Sequence, residues 1–72
     1  MPLELSWNKL RFKIRRLGGV KVRKMTRAKA LGNKPVLRDD GTLEIEWWRE
    51  YPGTRRERIH RIILSAEEFD II

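Results

Sequence analysis

From Asp39 to Phe69 the chain reads DDGTLEIEWWREYPGTRRERIHRIILSAEEF, the pattern of one long β-hairpin with a capped helix behind it. Asp39-Asp40-Gly41 is a turn signal, because Gly accepts positive φ and Asp tolerates a left-handed position. Leu43, Ile45 and Trp47 then alternate with Glu44, Glu46 and Trp48, the period-2 signature of a half-buried strand over 42–50. Tyr51-Pro52-Gly53-Thr54 interrupts it, and an Arg- and Ile-rich strand returns over 56–64. Ser65 with Glu68 three residues later forms a capping-box pattern, which predicts a helix over 65–72. Glu67, Glu68 and Asp70 would complement its macrodipole, and Phe69, Ile71 and Ile72 would dock on the sheet or on a second subunit.

Consecutive strand residues face opposite ways, so Trp47 and Trp48 cannot share one environment unless the sheet is covered on both sides. With Leu43, Ile45 and Trp47 inward, Trp48 beside Arg49 and Tyr51 is a candidate stacking platform or protein-interface anchor. Glu44 and Glu46 are expected opposite Arg56 and Arg58, in cross-strand pairs each contributing roughly a few tenths of a kcal/mol.

The N-terminal region carries two patterns. Leu3, Trp7, Leu10, Ile14 and Leu17 make a helical stripe over 3–17. Leu10, Phe12 and Ile14 also alternate with Lys9, Arg11, Lys13 and Arg15, a strand over 9–16 with one apolar and one basic face. Phe12 lies off the helical stripe and favours the strand. Gly18-Gly19 then reads as a hairpin turn into a second strand over 20–24, giving a basic ribbon of Arg11, Lys13, Arg15, Lys21 and Arg23. Beyond it, KMTRAKALGNK suggests a short helical turn capped by Thr26 and stopped by Gly32-Asn33, with Lys24, Arg27, Lys29 and Lys34 on it. Pro35 to Arg38 reads as a short edge strand. The expected fold is α+β, mostly β: a single small domain, 1–72, with an antiparallel sheet of four or five strands and a C-terminal helix.

Charge separates the two halves. Residues 1–38 hold 12 Lys and Arg against one acid, whereas residues 39–72 hold 5 against 9 acids. A basic half joined to a mildly acidic one suits a polyanion-binding face with a separate packing face. A solvated, edge-protecting surface of Lys and Arg is the alternative explanation. The chain has no cysteine and one histidine, so neither a disulfide nor a thiolate metal site is expected. His60 sits mid-strand without a nucleophile or paired carboxylate around it, and no enzyme, cofactor or metal is implied. With no long apolar run or signal-peptide pattern, a cytoplasmic setting is expected, in a cell or for a virus acting inside one.

A strand with Trp (LEIEWWRE), a Pro/Gly turn (YPG), a basic strand (TRRERIHR) and IILSAEEF resemble the single-stranded-DNA-binding transcriptional coactivator family, positive cofactor four. The arm-binding domains of phage integrases are similar in pattern. The coactivator resemblance implies a curved antiparallel sheet backed by a helix, a dimer, and single-strand binding on the sheet. Arg49, Arg55, Arg56 and Arg58 would then face DNA, with Trp48 near a base.

The residues themselves point to a non-enzymatic nucleic-acid-binding module of low sequence specificity, since no recognition helix is read from them. Single-stranded DNA or RNA is favoured over sequence-specific duplex. Phosphates would be held by Arg11, Lys13, Arg15, Arg16, Lys21, Arg23, Lys24, Arg27 and Lys29, with Arg56 and Arg58 on the hairpin. Trp7, Trp48 and Tyr51 would serve as stacking or interface residues. The alternative is an interaction protein, a small ribonucleoprotein subunit or a virus-encoded binder of a host complex. It would use the hairpin, and Trp48, Phe69, Ile71 and Ile72, as its contact or homodimer surface.

Overall fold

The computed structural model describes residues 1–51, 53 and 56–72, with 49–51, 56 and 57 as backbone alone. The hairpin is formed by strands β4, Leu43–Tyr51, and β5, Arg56–Leu64. It pairs Leu43 with Leu64, Ile45 with Ile62 and Trp47 with His60, which fixes one apolar face. Leu43, Ile45, Trp47, Ile62 and Leu64 on that face are buried, and the His60 ring stacks on Trp47 at 5.4 Å and 15°. Burying side chains of this size stabilises by about 1.5–3 kcal/mol each, which makes this face the energetic centre of the fold. The other face carries Glu44 beside Ile63, Glu46 beside Arg61 and Trp48 beside Ile59. The expected pairing of Glu44 and Glu46 with Arg56 and Arg58 is therefore wrong. The register places Arg56 opposite Tyr51 and Arg58 opposite Arg49, and a shifted register would have turned the apolar row to solvent. Arg38 and Arg61 bind the two glutamates instead.

Two very short strands complete this sheet. β1, Leu3–Glu4, pairs with β3, Val36–Leu37, and β3 pairs with β4, in the antiparallel order β1-β3-β4-β5. The stretch expected as an edge strand is thus interior, with β1 as the edge.

The region between them departs most from expectation. A 3₁₀ turn, Trp7–Lys9, leads into β2, Leu10–Phe12, so a strand does form around Phe12, but only over three residues. The expected strand over 20–24 and its Gly-Gly hairpin do not exist. A helix, α1, Ile14–Ala30, takes their place, interrupted at Gly18 (φ 75°, ψ 159°) into one turn, 14–17, and a longer segment, 19–30. Val20 and Val22 alternate like strand residues. The longer period prevails, because Leu17, Met25 and Ala28 all reach the core only from a helix. Thr26 is mid-helix and donates its hydroxyl to the Val22 carbonyl at 2.9 Å rather than capping an N-terminus. The expected stop does occur. Gly32, at φ 82°, donates to Lys29 O and Asn33 donates to Ala28 O, the paired bonds of a Schellman motif.

The C-terminal helix is also overturned. β6, Phe69–Ile71, runs antiparallel to β2, pairing Leu10 with Ile71 and Phe12 with Phe69. One of the two capping-box contacts is present, the Ser65 N–H donating to Glu68 Oε1 at 2.9 Å, while the Glu68 N–H donates to the Ser65 backbone carbonyl at 3.0 Å, a turn bond. They close a turn instead of starting a helix. The strand buries Phe69 against Leu10, and the ribbon is secured by Lys13 N–H to Glu68 O and Ile72 N–H to Lys9 O. Ile71 and Ile72 remain exposed. The fold is α+β, with the helix in mid-chain across the apolar face of the sheet and the β2–β6 ribbon beside it.

Candidate nucleic-acid interface

Ion pairs sort the cations into two sets. Lys13 meets Asp70 at 3.4 Å, Arg16 meets Glu67 at 3.7 Å and Lys21 meets Glu68 at 2.9 Å. Lys34 lies near Glu4, and Arg38 and Arg61 share Glu44. The acids of the second half thus neutralise three first-half cations that the sequence assigned to phosphate binding. Among the described residues, Lys9, Arg11, Arg15, Arg23, Lys24, Arg27 and Lys29 form no ion pair. All seven are exposed. Lys9, on the basic face of the expected 9–16 strand, joins the residues expected to hold phosphates. It lies in the 3₁₀ turn just ahead of Arg11.

Helical geometry concentrates the α1 members of this set. At 3.6 residues per turn, Arg23 and Arg27 are successive positions on the ridge opposite the buried Met25 and Ala28. Val20 and Ala30 continue that ridge. Lys24 lies on one flank, and Thr26 and Lys29 lie on the other. Arg27 and Lys29 in the last turn are favoured by the helix macrodipole, so part of this charge has a structural benefit. Arg23 and Lys24 are further from that end, and Arg23 and Arg27 stand four apart with like charge, which costs a few tenths of a kcal/mol, roughly. No acid lies anywhere in 14–30 to relieve them.

The aromatic residues fall elsewhere. Trp48 is 51 % exposed, but it lies on the sheet face turned away from α1, where Ile59 is 50 % and Ile63 44 % exposed. Ile59, opposite Trp48, forms an apolar pair with it, and Ile63 is separated from that pair by Arg61, which is bound to Glu44 and Glu46. The outward direction of Ile59 and Ile63 follows from β5 alternation once Ile62 and Leu64 are inward. Trp7 packs against Phe12 with ring centroids 5.9 Å apart, and its Nε1–H donates to Asn33 O at 2.6 Å. That contact makes Trp7 part of the framework beside α1. Arg58 lies on β5 in register with Arg49, two residues before His60 and so on the hairpin face that carries Trp47. The side chains of Arg49, Tyr51 and Arg56, and all of Arg55, lie outside the described residues.

A concavity of about 640 Å³ lies over β1, β3 and β4 and is lined by Glu4, Lys34, Arg38, Glu44 and Glu46 among others. Lys34 pairs there with Glu4 and Arg38 with Glu44, Glu46 pairs with Arg61, and its lining has no nucleophile–base arrangement. No group of three or more His, Cys, Asp or Glu suited to a metal occurs among the described residues. Among them, too, no helix is long and apolar enough to cross a membrane.

Two carboxyls are shifted. The Ser65 backbone N–H, aided by Lys21 and the Ser65 hydroxyl, holds Glu68 below the usual glutamate range against the opposing effect of burial. The Thr42 hydroxyl and backbone N–H hold Asp40 low in the turn before β4. Both shifts come from contacts that hold turns.

Comparison with protein-family models, with curated proteins and with solved structures found no match to this chain.

Proposed function

We propose that the protein is a non-enzymatic nucleic-acid-binding module whose contact surface is the outer side of α1, extended by Lys9, Arg11 and Arg15. One observation carries this reading: the described acids bind Lys13, Arg16, Lys21, Lys34, Arg38 and Arg61, while Lys9, Arg11, Arg15, Arg23, Lys24, Arg27 and Lys29 form no ion pair. Such a surface binds phosphates by releasing counterions, so affinity falls steeply with salt. Arg11 on β2 and Arg15 in the first turn of α1 place charge at one end of the surface, and Lys29 places it at the other.

Fluorescence anisotropy of labelled oligonucleotides, titrated with the full chain at two salt concentrations, tests the reading. Binding at low salt with a steep salt slope, weakened by Arg23→Ala and Arg27→Ala, is the expected result. Absence of binding at low salt sinks it.

The exposed pair of Trp48 and Ile59 favours a second reading, a protein contact on the open sheet face. On that reading Trp48→Ala removes a partner and leaves oligonucleotide affinity unchanged.

A further inference from the structure

We infer that the nucleic acid is duplex DNA and that the 19–30 segment of α1 lies in its major groove, with Arg23 and Arg27 turned toward the base edges. This rests on the reading of the α1 cations as a nucleic-acid contact, and adds to it the form of the ligand and the way it is held.

Shape is the first support. The segment spans roughly 18 Å, and a helix with its side chains is about 10–12 Å across, which matches the ~12 Å width of the major groove of B-form DNA. The major groove of duplex RNA is too narrow and deep to admit it. α1 is the only helix of more than one turn among the described residues, so it stands as a ridge without a second helix beside it.

The distribution of side chains around the ridge is the second. Its crest is Val20, Arg23, Arg27 and Ala30, with neither an acid nor an aromatic ring. Two arginines one turn apart on a crest can each present a guanidinium fork to O6 and N7 of guanine. Small apolar neighbours permit close approach and suit the methyl group of thymine. Lys24 on one flank and Lys29 on the other are placed for the phosphates bordering the groove on its two sides. The Schellman stop at Gly32 and Asn33 ends the segment cleanly beyond this set.

The third support is where the rings are. Single-strand binding without sequence preference uses bases stacked on aromatic side chains within a basic groove. Here Trp48 is on the opposite face, and Trp7 is committed to Phe12 and Asn33. A cationic ridge with no free ring beside it among the described residues suits a duplex, whose bases stay stacked.

The test compares a short mixed-sequence duplex, each of its strands alone, and the same duplex made with 7-deazaguanine, which lacks the major-groove N7 acceptor. The full chain is expected to bind the duplex more tightly than either strand. It should lose at least about fivefold on the deaza duplex, the low end for a bidentate arginine–guanine contact. The double variant Arg23→Lys/Arg27→Lys keeps the charge and loses the planar fork, so its loss on the deaza duplex should be smaller than that of the wild type. Circular dichroism of the variant confirms that α1 is retained. Binding with single strands equal to duplex, or with no deaza effect in the wild type, overturns the groove assignment and leaves the phosphate-binding reading intact. Failure to bind any of the oligonucleotides at low salt overturns both.

Discussion

Lys21 Nζ lies 2.9 Å from one carboxylate oxygen of Glu68 and 3.0 Å from the other, so a helix residue grips the turn that launches the last strand. The same carboxylate accepts from the Ser65 backbone, which joins the β5–β6 turn to α1 through one side chain. Glu68 is only 12 % exposed, so its contacts are less screened than those of the other ion pairs here. Its folded pKa lies below the unfolded value, so the folded state binds a proton less readily than the unfolded one. The stability it contributes is present above about pH 4.3, the unperturbed value, and is lost as pH falls through the folded pKa. Urea midpoints between neutral pH and pH 3 should fall more for the wild type than for Glu68→Gln. Glu68→Ala should cost roughly 1.5 kcal/mol at neutral pH. Equal pH profiles for wild type and Glu68→Gln would contradict the assignment.

Gly18 and Gly19 are neighbours in sequence with opposite requirements. The φ of 75° and ψ of 159° at Gly18 belong to a region that residues with a Cβ essentially do not occupy. Gly18→Ala should therefore destabilise by about 1–3 kcal/mol, through backbone strain alone, since a Cβ there meets no atom within 4 Å. Gly19 has no positive φ and equally open space, so Gly19→Ala should be neutral or stabilising by up to about 1 kcal/mol. Thermal melts of the two variants check this, and a loss of similar size in both would mean that the break in α1 is not at Gly18.

Leu64 and Ile63 test the register of the hairpin in the same way. Leu64 is fully buried opposite Leu43, and Ile63 faces outward opposite Glu44. Leu64→Ala should cost about 2–5 kcal/mol in denaturant unfolding. Ile63→Ala should stay within roughly 0.5–1 kcal/mol, as for other exposed positions. A reversed order would require the sheet to present its other face to α1.

The β4–β5 hairpin is visible in the residues because its alternation runs long enough to exclude a helix, and Trp47 and Trp48 part correctly to two faces. The register is not visible, because it depends on how the chain turns between Tyr51 and Arg56, and composition does not specify that. α1 is hidden for a different reason. Its buried residues are Leu17, Met25 and Ala28, with Val22 partly buried against the core, a sparse stripe, while Val20-Lys21-Val22-Arg23 after two glycines imitates a hairpin. At Ser65 and Glu68 the pattern shows half of its chemistry, the Ser65 N–H on the Glu68 carboxylate. That bond serves a helix start or a turn, and pairing of Phe69 with Phe12 across the fold decides between them. The cationic surface was half visible for a related reason. Charge counts locate it in the first half, but only the fold shows that Glu67, Glu68 and Asp70 withdraw Arg16, Lys21 and Lys13 from it.

That withdrawal makes the salt dependence of binding divisible by residue. Each cation that neutralises a phosphate contributes about 0.9 to the slope of log affinity against log salt on duplex DNA. Lys24→Ala and Lys29→Ala each remove an unpaired cation from a flank of α1, so each should lower the slope by about one. Lys34→Ala removes a cation that sits near Glu4, beyond the end of the helix, and should leave the slope unchanged. Lys21→Ala separates fold from binding. It should lower stability by freeing Glu68, and change the slope little, because its charge is already matched. Slopes measured for these four variants with one labelled duplex decide the matter. If Lys34 or Lys21 altered the slope as much as Lys24 does, binding would follow total charge, and α1 would have no special place in it.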